Sequence, residues 1–449
     1  MLSAALRAEL RANLRLAWPI IAAQLSFVSM GTVDTMLAGR LGASALAAVA
    51  VGANIFFLIF VMFMGLFMAV SPVVAQGLGA GRPARETGDF LRAALVLALW
   101  AGLLWALTIV LVGRPVLSLL ELPAATSRDA WHYLLGIAPS SVAFCFCFVL
   151  RNSAEAHGLT RVPLYAGLVG LVVNGLVGWL LLFGKLGLPA LGPMGTGIAT
   201  SVAAWVMVLV YLAAYRRLPE LRALRLWRPG AAANAAASRE LIRIGLPIAA
   251  ILTAEASLFL IGALLMARFG EDVVAAHQVA INFASVSFMV PLSVGLATTV
   301  RVGLAAGAGD AAAVALRGRA GMLLGIAFAA FSASLMALAP ELIVGLYTDA
   351  DSVRPLAVSF LAYAALFQIA DCIQATANGA LRGIKDTRLP MLITVTAYWV
   401  VGLPLAVGLA FHTAVGPAGV WWGFIAGLAV AASGLSVRFL RRTRARNPR

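Results

Sequence analysis

The sequence predicts an all-α integral membrane protein whose twelve transmembrane helices form two parallel six-helix bundles, related by a pseudo-twofold axis along the membrane normal. Three observations lead to this fold class. The 449 residues are 62% hydrophobic and only 11% charged, which is far more apolar than an ordinary soluble domain. Apolar windows of about 20 residues, long enough to cross a bilayer core of about 30 Å, recur along the whole chain. Finally, the second half of the sequence repeats the first.

The apolar windows are interpreted as helices because they are apolar on all sides. The strands of a membrane barrel would alternate apolar and polar residues over about 10 positions, whereas stretches such as LVLALWAGLLWALTIVLV show no alternation. The expected spans are residues 17–38, 46–71, 90–112, 131–151, 162–184, 194–215, 241–267, 275–300, 317–339, 355–378, 390–412 and 416–437.

The placement of basic residues predicts the orientation of the chain. Its net charge is +15, and 27 of the 33 Lys and Arg residues fall at span ends on one side, together with both termini. Basic residues concentrate on the cytoplasmic side of membrane proteins. We therefore expect cytoplasmic termini, and the basic excess reports topology rather than nucleic-acid binding. The six basic residues on the other side are Arg40, Arg114, Arg128, Lys185, Arg268 and Arg354.

An internal repeat divides the chain into two halves. A shift of 228 positions lays WPIIAAQL over LPIAAILT, so that Pro19 falls on Pro247, and TRVP meets TRLP at a shift of 227, while GPMG meets GPAG at 224. Six crossings return the chain to its starting side, so the two copies share one orientation. We predict an N-lobe at 1–215, a cytoplasmic linker at 216–240, and a C-lobe with a basic C-terminal tail at 241–449.

Three acidic side chains lie inside the predicted spans. Asp34 is in the first span, Glu255 in the seventh and Asp371 in the tenth, and no Lys or Arg is expected at a comparable depth. Each carboxylate costs about 2.5–3.5 kcal/mol on insertion scales, so it should be protonated, face water or hold a cation. All three states suit a cation-coupled carrier. The structural alternative is a carboxylic acid that only hydrogen-bonds neighbouring helices.

The three acids are not copies of one another. Under the repeat shift, Asp34 aligns with Gly262, and the other two acids align with Phe27 and Phe144. Polar residues of nearby spans are the expected partners, and Gln278 and Asn282 share a helix face because they are four residues apart. The candidates are Gln24, Asn174, Thr196 and Thr200 for Asp34, and Gln278, Asn282, Gln368 and Gln374 for Glu255 and Asp371.

The sequence lacks the motifs that define several functional classes. The chain has no GxxxxGK[ST] loop for ATP and no HExxH or spaced Cys/His cluster for a metal, so neither an ATP-driven pump nor a membrane-embedded enzyme is predicted. No cofactor is expected. A secondary carrier is the interpretation that survives, and a channel or scaffold stays open as an alternative.

Three stretches resemble the multidrug and toxic compound extrusion (MATE) family, and within it the NorM-type bacterial branch: VDTMLAGRLGASALAAVAVG, AHQVAINFASVSFMVPLSVGLATTVRVG and ANGALRGIKDTRLPM. The resemblance covers essentially the whole chain. It implies a monomeric, V-shaped exporter with six helices per lobe in the bacterial inner membrane, surrounded by lipids. Such an exporter exchanges inward-moving H+ or Na+ for cationic, amphipathic drugs. A lipid-linked precursor flippase of the wider superfamily stays open as a second alternative.

The resemblance also implies roles for particular residues. Asp34 matches the family's first-helix aspartate, with Asn174 as its companion, and Glu255 and Asp371 match the acidic pair of the second lobe. These acids would bind the coupling cation and, directly or by competition, the drug. A possible Na+ site lies at Glu255 and Asp371. The expected lining of the substrate cavity is Phe288, Phe367 and Gln368.

Two features depart from the family's pattern. Gly178 stands four residues after Asn174, where the family commonly has another Asp or Asn, so ion binding beside Asp34 is in question. Phe288 and Phe367 stand where related proteins can place tyrosines near the acidic pair. Because these oxygens are lost, H+ is favoured over Na+ as the coupling ion, with both kept open.

Overall fold

The computed structural model describes residues 3–228 and 235–445, and this part of the chain is helical without strands. Within it, eleven helices are long and apolar enough to cross a membrane, and a twelfth crossing consists of two helices that meet at a bend of 45°. The prediction of an all-α, multi-pass membrane protein with twelve spans is confirmed.

The helices extend beyond the predicted spans because a hydropathy window marks only their apolar part; α1, for example, begins thirteen residues before residue 17 and includes three arginines. Short helices at Pro219–Arg222 and Pro340–Gly345 lie between spans. The spans are α1 Ala4–Gly39, α2 Ala43–Gly79, α3 Ala84–Leu119, α4 Ala124–Ile137 with Ser140–Ala156, α5 Arg161–Phe183, α6 Pro193–Arg217, α7 Ala235–Phe269, α8 Glu271–Gly307, α9 Ala311–Leu338, α10 Arg354–Gly383, α11 Arg388–His412 and α12 Ala418–Arg444.

Two spans are irregular at prolines. The bend in α4 falls at Pro139, between its two segments. In α11 a π-helical segment covers Thr396–Gly402 and ends just before Pro404. Proline lacks a backbone N–H and clashes with the preceding turn, so a bend or a locally widened turn accommodates it. Both irregularities therefore have a cause in the sequence.

The described chain folds into two compact units. The N-unit contains residues 19–74 and 82–249, and the C-unit contains the residues up to Trp18, residues 75–81 and the chain from Ala250 on. Helices α1, α2 and α7 therefore pass from one unit to the other along their length. The lobe boundaries at 215 and 241 stay a prediction. Residues 229–234 of the predicted linker and 446–449 of the predicted basic tail lie outside the described residues.

Within the C-unit, the first part of α1 is held by charged and polar contacts. Arg301 Nε donates to Glu9 Oε2 at 2.9 Å, and Arg317 Nε lies 3.4 Å from Glu9 Oε1. One turn further, Asn13 Nδ2 donates to Thr298 Oγ1 at 2.9 Å in a buried position. These contacts fix the register of α1 against α8 and α9 before α1 passes at Pro19 into the N-unit.

Candidate functional site

Asp34 lies in the membrane-spanning part of α1, with 5% of its surface exposed. Asn174 Nδ2 of α5 donates to Asp34 Oδ1 at 3.1 Å, and Thr200 Oγ1 of α6 donates to Asp34 Oδ2 at 2.8 Å. Asn174 Nδ2 also donates to Thr200 Oγ1 at 3.2 Å. Three helices therefore meet at one carboxylate through a closed triangle of hydrogen bonds, and the two partners belong to the set expected from the sequence.

Glycines on α5 allow α1 to approach this site closely. Gly167, Asn174 and Gly178 lie on the buried face of α5. A Cβ at Gly167 would lie 3.3 Å from Ser26 Cβ, and a Cβ at Gly178 would lie 3.0 Å from Leu37 Cδ1. The position where an additional ligand is common in the family is thus occupied by close packing between α1 and α5, and Gly178 adds no oxygen beside Asp34.

A stripe of polar side chains runs along one face of α10. Its members are three or four residues apart and therefore share a face of the helix. Each of them is more than nine-tenths buried. Ionisable residues are rare in membrane spans, and those present usually face the interior of the helix bundle. The stripe consists of Gln368, Asp371, Gln374, Asn378 and Arg382.

Glu255 of α7 faces the α10 stripe. Its carboxylate is buried and lies close enough to Gln374, Asp371 and Arg382 to interact with them electrostatically. Arg382 is therefore a buried basic residue whose charge acts on Glu255, and whether it lies at the depth of the acids stays untested. Arg382 stands eleven residues after Asp371, about three helical turns, and this spacing was the signal that indicated a shared face.

Several buried oxygens of the α10 stripe accept no hydrogen bond from the described residues. They are Asp371 Oδ1, Gln368 Oε1, Gln374 Oε1 and Asn378 Oδ1. A buried acceptor without a donor costs about 1–3 kcal/mol, so such a row of acceptors is expected to have a use. Carboxylate and amide oxygens beside one another are suited to a proton or a small hard cation.

Tyr398 is a second residue that sequence reasoning missed. It is completely buried in the π-helical segment of α11 and interacts electrostatically with Glu255 and Asp371. Widened turns of this kind occur frequently at functional sites because they redirect one side chain without ending the helix. The neighbouring Pro404 was the only sequence signal for this irregularity.

Gln278 and Asn282 occupy a different position from the one expected. Both side chains are exposed on α8, and Tyr347 donates its hydroxyl to Asn282 Oδ1 at 3.5 Å. Their shared face is real, but the structure records no hydrogen bond from either residue to the acidic pair within the described chain. The partners of Glu255 come from α10 instead.

The residues expected to line a substrate cavity are mostly enclosed. Phe367 is buried against Phe259 and Trp421, with ring centroids 5.7 and 6.0 Å away. Gln368 is fully buried, and its Nε2 lies 3.5 Å from Cys372 Sγ. Phe288 is half-buried on α8. In this structure, Phe367 and Gln368 therefore support the packing around Asp371 rather than line an open cavity.

The fold and the buried acids define a class of protein, the polytopic helical transporters, in which ionisable side chains inside the membrane mark the path of an ion or substrate. The chain belongs to the MatE family. The family's model matches it twice, at residues 19–180 and 247–407. The two matches begin at Pro19 and Pro247, the prolines that the sequence repeat superimposes.

Relatives match nearly the whole chain. A probable multidrug resistance protein NorM from Mesorhizobium japonicum is 39% identical over 450 residues, covering 98% of this chain and 96% of that protein. The multidrug resistance protein PmpM from Pseudomonas aeruginosa is 38% identical over 98% of this chain and 93% of its own length. The crystal structure of the eukaryotic MATE transporter AtDTX14 matches with a TM-score of 0.88 at 21% identity, covering 98% and 99% of the two chains. This last likeness establishes the fold alone.

Proposed function

We propose that the protein is a secondary multidrug exporter, which moves cationic or amphipathic organic compounds out of the cell in exchange for an inward-moving ion by alternating access. Its family and the names of two relatives as multidrug resistance proteins support this proposal. The single observation that carries it is the buried Glu255–Asp371 pair beside the row of acceptor oxygens on α10.

Exchange follows from competition for one negative charge. Arg382 offsets part of the charge of Glu255, and Asp371 has a buried oxygen without a hydrogen-bond donor in the described chain, so we assign Asp371 as the carboxylate that changes its state. An ion that reaches Asp371 from outside removes the charge that attracts a cationic drug, so the ion and the drug do not hold the site together. Each unit charge that moves inward contributes about 2.3 kcal/mol per 100 mV of membrane potential.

We propose H+ as the coupling ion. The groups that touch Asp34 donate hydrogen bonds to it, and Gly178 is filled by packing with Leu37 rather than by a further ligand. Phe288 and Phe367 lack the hydroxyl oxygens that related proteins can place near the acidic pair, although the buried Tyr398 interacts with both acids. A proton needs one acceptor oxygen, whereas Na+ needs a shell of several, so the surroundings of Asp34 favour the proton.

Asp34 acts in this proposal as a switch that responds to protonation. As a carboxylate it accepts hydrogen bonds from Asn174 and Thr200 and so ties α1 to α5 and α6. A proton on Asp34 removes acceptor capacity from this triangle and weakens the tie.

We propose that the protein is a monomer in the bacterial inner membrane. Its basic residues indicate that both termini lie in the cytoplasm.

Drug uptake into inverted membrane vesicles tests the proposal. A pH gradient alone should drive accumulation of a cationic dye, and a Na+ gradient alone should not, with vesicles that lack the protein as the control. Accumulation driven by Na+ alone would overturn the choice of H+ and leave antiport standing. Dye movement that continues unchanged after both gradients and the potential are collapsed would indicate a channel and would overturn antiport itself.

A further inference from the structure

An apolar groove of about 350 Å³ lies at the surface of the N-unit between α3, α4 and α6. Its lining includes Leu99 of α3, Phe146 of α4 and Trp205 of α6, and the rings of Phe146 and Trp205 meet edge to face with centroids 6.2 Å apart. All of its lining residues are apolar. The groove therefore has no group that would orient an ion or a cationic drug, and its chemistry fits a hydrocarbon chain.

The groove leads to an arginine. The α6 residues Trp205, Val208 and Leu212 of the lining are three or four residues apart, and Arg216 continues this row one turn later, about 6 Å along the axis. Arg216 is exposed, and its guanidinium carbon lies 4.3 Å from the ring centroid of Trp227, which is 52% exposed. Exposed tryptophan and arginine at a span end are typical of the headgroup region of a bilayer.

The segment after α6 is fixed at this end of the groove. Arg92 of α3, which is paired with Asp89, donates from Nη1 to the Arg225 carbonyl oxygen at 2.8 Å. Leu224 is buried, and its carbonyl lies so close to Gly88 of α3 that a side chain there would overlap it. Because α3 holds the segment, Trp227 and Arg216 keep a defined position above the groove.

The same segment is strongly basic. Residues 216–228 read RRLPELRALRLWR, with five arginines and one acid, Glu220, and all five arginines are exposed. Guanidinium groups bind phosphate oxygens in paired hydrogen bonds. We propose that the groove and the Arg216–Trp227 pair form a binding site for one anionic phospholipid, whose phosphate binds Arg216 and one of whose acyl chains fills the groove. In the proposed orientation the site faces the cytoplasmic leaflet, where anionic lipids contribute a negative surface potential.

Native mass spectrometry of the purified full-length protein tests this site, with phosphatidylglycerol and phosphatidylcholine of identical acyl chains as probes. Arg216→Gln should weaken phosphatidylglycerol binding about fivefold, which corresponds to about 1 kcal/mol for one basic residue, and weaken phosphatidylcholine binding less, because the cationic choline group offsets the charge of its phosphate. Leu99→Trp, which fills the groove, should weaken binding of both lipids about tenfold, equivalent to roughly two methylenes left unburied. Arg319→Gln removes an exposed arginine of α9 and should change neither affinity.

Three results would overturn the site. They are wild-type phosphatidylglycerol affinity in Arg216→Gln, an equal loss of affinity in Arg319→Gln, and binding of glycerophosphoglycerol, which lacks acyl chains, as tightly as the lipid. Thermal unfolding in detergent is measured for each variant. If Leu99→Trp unfolds early, Val96→Phe, which narrows the same groove from α3, replaces it, and unchanged lipid affinity in that variant contradicts the acyl-chain position.

Discussion

The position that holds Asp34 in the first repeat holds Gly262 in the second, and the contrast extends to their neighbours. Thr200, which donates to Asp34, corresponds at the 224-residue shift to Phe424. In the C-unit the Phe424 ring fills the space beside Gly262, because a Cβ on this glycine would overlap the ring. One unit thus has a hydrogen-bonded carboxylate where the other has an aromatic ring packed on glycine.

The opposite exchange occurs at a second pair of positions. Glu255 and Asp371, which interact in the C-unit, correspond to Phe27 and Phe144. In the N-unit these two phenylalanines are in contact, edge to face, with ring centroids 5.7 Å apart. The same helix pairing therefore brings together two acids in one unit and two aromatic rings in the other.

The comparison shows how a duplicated membrane protein can carry buried acids in both halves. A carboxylate inside the membrane costs about 2.5–3.5 kcal/mol, whereas an aromatic pair contributes about 0.5–1.5 kcal/mol beyond its buried area. The N-unit has one acid and an aromatic pair, whereas the C-unit has two acids and one aromatic ring packed on glycine, so the aromatic pair offsets part of the cost in the N-unit. The two acidic positions are consequently different in chemistry and are not copies of one site.

The arginines near the ends of α4 and α10 also have different partners in the two units. Arg151 of α4 donates to Glu155 at 2.7 Å on its own helix and to Gln24 of α1 at 2.8 Å. Gln24, expected beside Asp34, thus pairs with an arginine instead. The residue that corresponds to Glu155 is Arg382, whose charge acts on Glu255 of another helix. Within the described residues, an arginine therefore acts on the acidic pair of the C-unit, whereas Arg151 bonds to Glu155 and Gln24.

The largest expected effect comes from removing the charge of Asp371, the carboxylate that we assign to change its state. Asp371→Asn should abolish gradient-driven drug export while the protein stays folded in the membrane, because the amide neither binds a proton nor attracts a cationic drug. Efflux from cells and protein abundance in membranes measure this outcome. Asp351→Asn, which removes an exposed acid before α10, is the matched control and should export normally. Unchanged efflux in Asp371→Asn would refute the assignment.

A smaller effect is expected at the Asp34 triangle. Thr200→Val keeps the shape of the side chain and removes its hydrogen bond to Asp34. Hydrogen bonds to charged groups contribute about 1.5–3 kcal/mol, so a transport rate about tenfold lower is expected. Thr200→Ser retains the hydroxyl and should transport nearly as the wild type does. Combining Thr200→Val with Asp34→Asn should add nothing to Asp34→Asn, and an additive loss would show that Thr200 acts elsewhere.

The smallest effect concerns stability at the aromatic position of the C-unit. Gly262→Ala should lower the free energy of unfolding by about 1–3 kcal/mol, because the added methyl group overpacks against Phe424. Thermal unfolding in detergent measures the change, and Phe424→Leu in the same background should restore part of it. Gly31→Ala is the control, since a Cβ there meets nothing within 4 Å. Equal melting temperatures for both glycine variants would contradict the proposed packing.

Part of the candidate site was predictable from the sequence. Asp34, Glu255 and Asp371 stand out because charges are rare in apolar spans, and Asn174 was expected as a partner from the family's pattern. The exposed position of Gln278 was not predictable. The four-residue spacing from Gln278 to Asn282 shows that they share a face, but it does not show toward which neighbour α8 turns that face.

Membrane embedding, the twelve spans, the repeat and the three buried acids follow from the order of residues alone, because insertion into a bilayer depends on the hydropathy of consecutive residues. Tertiary packing alone decided that Thr200 donates a hydrogen bond to Asp34 and that Arg382 lies close enough to act electrostatically on Glu255. These contacts join residues far apart in the chain, and they depend on how each helix is rotated and how closely glycines such as Gly178 let it approach its neighbours. Neither quantity is encoded in local hydropathy.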